Sequence, residues 1–287
     1  ALFREKSYQV NPQLQIRSGN WKSSQSPLTG YPEPIGVYAH ETGHVFGPMD
    51  LYGSYKAALS TSPAGLGSLN MMASGSHGVE GNKWTPGYPN GWTRYGMMKE
   101  LEINVDRLEI TENTTDIEIF PFAEDTKSIC VFAPNNDKDV WWIDYRTSES
   151  TGYKNKNYDS SIAESGLLIT HQTAGRNFGV KDINTRYFND PDMSFPYFGA
   201  GNNSAASPVP RNPRGEVGHF ISHEQKDGKY QRNFGRSFAG RYLSRNDLYT
   251  PGDEFSPYTM PSSVCWDGTL SGVKIHNIRK TDHGSML

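Results

Sequence analysis

Cysteine is scarce in this 287-residue chain, long apolar runs are missing and positive charge is nowhere concentrated. Each shortage closes off a class of protein. Two cysteines, Cys130 and Cys265, permit at most one disulfide, which excludes a disulfide-dense scaffold. The apolar runs are of the kind Ile129-Cys130-Val131-Phe132-Ala133, far short of the ~18 residues of a membrane span. Lys and Arg total 28 against 31 Asp and Glu, a net charge of −3, and no basic run reaches five residues. The electrostatic footprint of a nucleic-acid-binding protein is therefore missing. No Gly-x-Ser-x-Gly elbow offers a serine nucleophile, and no internal repeat is visible. The sequence opens on Ala1 with no signal peptide, which reads as a mature chain or a fragment.

The composition that remains is that of a loop-rich globular protein. Aromatic residues make up 12% of the chain, too many for a disordered one, and 29 Gly and 18 Pro punctuate it throughout. Residues 1–34 are polar and irregular, with one short strand expected at 14–17. Helical spacing of Ile35, Val37, Tyr38, Val45 and Phe46 predicts a helix that stops at Gly47-Pro48. A second short helix is expected near 92–100. From 103 the pattern changes to period 2, predicting strands around 117–120, 129–132, 140–145 and 167–171, with further strand-like runs at 217–223 and 273–278. Residues 172–215 read as a long irregular excursion. The division falls at 102/103: residues 1–102 form a helix-and-loop part and 103–287 a β-rich part packed on it.

The chemistry concentrates in Ala39-His40-Glu41-Thr42-Gly43-His44-Val45-Phe46-Gly47-Pro48-Met49-Asp50. Two His four residues apart share one face of a helix, where two imidazoles can hold one Zn²⁺. Glu41 is rotated by ~100° from His40, off the ligand set, in the position of a general base for metal-assisted hydrolysis. A catalytic zinc needs a third protein ligand. Gly47 can turn the chain and Pro48 cannot continue the helix, which would return Asp50 toward the metal. Leu69-Asn70-Met71-Met72-Ala73-Ser74-Gly75 is a candidate Met-containing turn for the floor of such a site. The competing reading makes its two Met gap-filling core residues.

The string His40–Tyr52 resembles the zinc-binding helix of the immune-inhibitor-A-type secreted metalloproteases, a metzincin-like group with Asp as third ligand. Asn70-Met71-Met72-Ala73-Ser74-Gly75 is similar to that family's Met-turn. Trp142–Arg146, Gly166–His171, Glu224–Gly228, Asn246–Gly252 and Ser271–Ile278 resemble its later blocks, in family order. The resemblance implies an α+β, metzincin-like fold with an active-site helix, a Met-turn and a β-rich C-terminal part. It further implies a zinc endopeptidase, secreted as a zymogen and acting on protein or peptide substrates, with His40, His44 and Asp50 as ligands, Glu41 as base, Met72 beneath the metal and structural Ca²⁺ in addition. The sequence departs from the family in two places. Only 39 residues precede His40, too few for the upper sheet of the cleft, so that wall is expected from an upstream segment or a second chain. Thr170-His171-Gln172 also differs from the family pattern. The alternative reading is a non-catalytic, metal-binding module within a larger assembly.

The other candidates read as structural. His171 is expected to be a satisfied core or edge residue, and His219, His223, His276 and His283 surface residues; His77, just after the Met-containing turn, could touch substrate but is not expected to. Asp144 and Arg146, two apart on a strand, suggest a structural ion pair. Asp190, Asp192, Asp247, Asp253 and Glu254 are loop acids that could bind Ca²⁺, though no EF-hand string is present. Parity and the secretory resemblance together suggest a Cys130–Cys265 disulfide.

Overall fold

A five-stranded mixed sheet organises the part of the chain that the computed structural model describes, which comprises residues 35–45, 51, 66–78, 86–100, 107–125, 127–134, 136, 139–149, 158–173, 221–228, 246–265 and 268–287. The strands are β1 (Arg107–Ile110), β2 (Ser128–Phe132), β3 (Asp139–Arg146), β4 (Gly166–Thr173) and β5 (Ile221–His223), side by side in chain order. β1 runs parallel to β2 and the remaining pairs are antiparallel. A parallel pair needs a long connection, which residues 111–127 supply.

β3 lies in the middle and is buried along its whole length. Its sequence, Asp-Val-Trp-Trp-Ile-Asp-Tyr-Arg, lacks the apolar-polar alternation of a half-solvated strand because both faces of the sheet are covered. Side chains still alternate between those faces. Cys130, Phe132, Val140 and Trp142 point to one core, shared with Leu51, Leu66, Met72 and Trp92. Ile129, Trp141, Ile143, Tyr145, Leu167 and Ile169 point to the other, shared with Tyr249, Phe255, Cys265, Ile278 and Met286.

The two helices belong to the first face. α1 (Ile35–Val45) packs on the turn that ends at His77, and α2 (Gly91–Glu100) packs on β2 and β3. α2 begins where Asn90 Oδ1 accepts the Thr93 N–H at 2.9 Å, an N-cap that satisfies one of the orphan donors of the first turn. The buried Asp144 carboxylate accepts the Gly91 N–H at 2.8 Å, setting negative charge at the helix N-terminus. A Cβ at residue 91 would stand 2.5 Å from that carboxylate, so only glycine lets strand and helix meet there.

Several expectations need correction. The segment 117–120 is not a strand and contributes one isolated bridge, Ile119 to Met286, while 273–278 contributes one between Phe255 and Ile275. β1 was not expected. Cys130 and Cys265 are separate buried thiols, held in cores on opposite faces of the sheet. The expected strand at 14–17 lies outside the described residues, as do residues 217–220.

Candidate metal centre

α1 brings His40 and His44 together as their spacing requires. Their rings meet edge to face, with centroids 4.7 Å apart and Nε2 atoms 3.2 Å apart. The other nitrogen of His40, Nδ1, is 2.9 Å from the backbone carbonyl of Met71. A carbonyl oxygen carries no proton, so Nδ1 must be the donor, and Nε2 is left with its lone pair. The same arrangement is common behind metal-bound histidines, where a carbonyl fixes tautomer and ring orientation. Two nitrogens bound at ~2.0–2.1 Å to one tetrahedral ion stand ~3.3 Å apart, close to the spacing of this pair. His40 and His44 therefore fit a shared zinc. Without one, the contact reads as a His44 Nε2–H donating to the His40 lone pair.

Glu41 lies beside the pair on α1, and its Oε2 is buried with no hydrogen-bond partner among the described residues. Burying a carboxylate oxygen without a partner is costly. Asp50, the expected third ligand, is outside the described residues. Among the described residues no three His, Cys, Asp or Glu side chains converge as a complete ligand set. Leu51, the next residue in the chain, donates its N–H to the Met72 carbonyl at 2.7 Å.

Met72 is completely buried beneath α1. A Cβ on Gly43 would meet its sulfur at 2.5 Å, so the small residue between the two His is what allows the turn to approach the helix. Met72 fills the core with Trp92, Val140 and Trp142, which is the gap-filling role, and its sulfur abuts α1 at Gly43, between the two His in sequence. Asn70 shapes the turn. Its Oδ1 accepts the Met72 N–H at 2.8 Å, its carbonyl accepts the N–H groups of Ala73 and Gly75 at 3.0 Å each, and its Nδ2 donates to Thr93 Oγ1 at 3.2 Å. A Cβ at residue 75 would come within 2.4 Å of that same carbonyl, which makes Gly75 obligatory. Neither Asn70 nor Gly43 was singled out from the sequence. An Asn two residues before a bonded N–H is a recognised turn signal, and a Gly inside a helical pattern is an available hint of close approach.

A buried charge cluster ties the turn to the sheet. Arg146 clamps Asp159 with two hydrogen bonds of 2.5 and 2.7 Å and donates a third, of 3.0 Å, to the Leu69 carbonyl. This corrects the expected Asp144–Arg146 pair, because the bidentate partner is Asp159, 13 residues on. Asp144 instead caps α2. Burial pushes its carboxyl up from the usual range, against the pull of Arg94 and Arg146. Burial also brings Arg94 down to about 10, while its guanidinium holds the carbonyls of Phe122, Asp125 and Lys127.

The remaining candidates separate clearly. His171 faces the core opposite the His pair, stacked on Trp141 and held between Asp139 (2.6 Å) and Glu224 (3.0 Å). Burial alone would lower its pKa, but the hydrogen bonds and charges of the two carboxylates outweigh that and raise it to about 9. It is a satisfied core histidine. His223 was expected on the surface and is buried, 3.1 Å from Thr170 Oγ1. His77 is half-buried against Ser76, and His276 and His283 are exposed. Asp247 accepts from Gln225, Asp253 from Lys226 and Thr250, and Glu254 pairs with Lys274. Asp190, Asp192 and His219 lie outside the described residues. Among the described residues no helix is long and apolar enough to cross a membrane.

No protein-family model matches the sequence, and comparison with curated proteins and with solved structures gives no significant match.

Proposed function

We propose that the chain is a metzincin-like zinc endopeptidase acting outside the cell. The observation that carries this reading is the convergence of the His40 and His44 Nε2 atoms at 3.2 Å, with His40 held by the Met71 carbonyl. His40, His44 and Asp50 would hold the ion. Bound there, zinc would supply Lewis-acid activation of a water and of the scissile carbonyl. The chain's own residues do the rest. Glu41 Oε2, buried and unpartnered among the described residues, takes the proton of the attacking water and returns it to the nitrogen of the leaving amine. Met72 keeps water out from below. The tie between Leu51 and the Met72 carbonyl supports Asp50 as the third ligand.

Glu41→Gln tests the assignment, measured on the polypeptide as the cell makes it, with any upstream segment or partner chain present. The amide keeps the shape but cannot accept a proton at neutral pH. Cleavage of a protein substrate is expected to fall by ~10²–10⁴-fold, with zinc content and melting temperature unchanged. Loss of zinc together with activity would make Glu41 a ligand and overturn this mechanism. A wild-type protein that binds zinc and cleaves nothing would leave the non-catalytic reading in its place.

A further inference from the structure

We infer that Asn70 is a positioning residue for the metal centre: through the Met71 carbonyl it fixes the tautomer and ring orientation of His40. The inference rests on the zinc reading above and adds to it a residue that touches neither metal nor substrate.

His40 Nδ1–H donates to the Met71 carbonyl at 2.9 Å. That bond leaves the Nε2 lone pair directed at His44, 3.2 Å away. The carbonyl can hold the ring only if the peptide that carries it is itself held. The half-buried Met71 side chain packs against the first core, but an apolar contact does not set the plane of the peptide. The neighbouring groups supply the restraint instead. Asn70 is fully buried and grips the turn on both sides of that peptide. Its Oδ1 accepts the N–H of Met72, which belongs to the same peptide unit as the Met71 carbonyl. That hydrogen bond sets the plane of the unit, because a peptide is rigid and its N–H and C=O point in opposite directions. The N–H turned inward to Asn70 is therefore what turns the carbonyl outward to His40.

Asn70 is held in turn. Its Nδ2 donates to Thr93 Oγ1, and the Thr93 N–H is capped by Asn90. Asn90 Nδ2 reaches Thr170 Oγ1 on β4 at 3.5 Å. Each of these residues is buried. One run of side-chain amides and hydroxyls thus connects the sheet, the start of α2 and the Met-turn to the ring of His40. Groups in this position behind a metal ligand commonly alter metal affinity by ~10–100-fold.

The test measures zinc affinity by competition with a chromophoric chelator, at a temperature where every variant is folded by circular dichroism. It is paired with the ¹⁵N shifts of the His40 ring in metal-free protein. Asn70→Ala removes the grip on the Met72 N–H and is expected to weaken zinc binding by at least tenfold. It is also expected to replace a single Nδ1–H tautomer of His40 with a mixture. Asn70→Asp keeps the acceptor and should recover most of the affinity. Thr93→Val removes only the support behind Asn70 and should give a smaller loss in the same direction. Ile278→Val, in the opposite core, lowers the melting temperature and should leave affinity and tautomer unchanged. If Asn70→Ala does not fold, Thr93→Val decides. The inference is overturned if Asn70→Ala, or Thr93→Val in its place, binds zinc within twofold of wild type or keeps the single Nδ1–H tautomer of His40. Failure of the wild type itself to bind zinc would overturn the zinc reading, and this inference with it. Wild-type binding with unaffected variants overturns this inference alone.

Discussion

At the residue scale the arrangement around the His pair depends on small groups as much as on the imidazoles. The meeting of His40 and His44 was legible in the sequence because residues four apart share one face of a helix. Gly43 was not, because its role is defined by what lies opposite it. Alanine there would gain ~1 kcal/mol in helix propensity. It would also force a Cβ to 2.5 Å from the sulfur of a fully buried methionine, and overpacking of this kind costs ~1–3 kcal/mol. Crowding is expected to win, so Gly43→Ala should lower the unfolding free energy by up to about 2 kcal/mol in a denaturant titration. Met72→Leu, which nearly conserves volume, should cost less than ~1.5 kcal/mol. A Gly43→Ala protein more stable than wild type would mean that Met72 does not press on the helix. His223 illustrates the opposite limit. A lone histidine with no partner at ligand spacing carries no signal of burial, and its hydroxyl partner Thr170 is 53 residues away in sequence.

At the element scale β2 and β3 were legible as runs rich in β-branched and aromatic residues, and β4 by its apolar run Leu167-Leu168-Ile169. β1 was not. Arg-Leu-Glu-Ile is short, lies at the sheet edge and is exposed at its two central positions. The run at 273–278 has the right alternation but pairs through a single bridge, serving as apolar cover for the second core. The ion pair of β3 could not be read locally either, because Asp159 arrives from beyond the strand. Both Arg146 and Asp159 are buried, and removing one partner of such a pair costs ~3–5 kcal/mol by stranding the other. Arg146→Met should therefore destabilise the protein by about that much. The double change with Asp159→Leu should restore a large part of the loss in a denaturant titration. Equal stability for Arg146→Met and wild type would show that the clamp on the turn is dispensable.

At the scale of the whole molecule, the sheet separates the core that carries the turn and α1 from the one on its opposite face, where His171 stacks on Trp141. The separation explains why the cysteine parity in the sequence misled: Cys130 and Cys265 face opposite ways. Burial pushes the Cys130 thiol up to about 12, so it is a poor nucleophile at neutral pH. Both thiols should resist a disulfide reagent in the native protein, and two should react in denaturant without any reductant. His171 gives the molecule a pH dependence. Its folded-state pKa of about 9 lies above the ~6.5 of an unfolded chain. The stability it contributes is therefore complete below pH ~6.5 and is lost as pH rises toward 9. The melting temperature should fall across that window, and His171→Gln should be less stable at pH 6.5 but flatter with pH. The claim on which the functional account depends is simpler still, that α1 and Asp50 hold one zinc. Elemental analysis of purified protein after dialysis measures it directly. About one equivalent per chain is expected, lost in His40→Ala and in His44→Ala and retained in Glu41→Gln. Zinc absent from the wild type, or undiminished in both histidine variants, would contradict it.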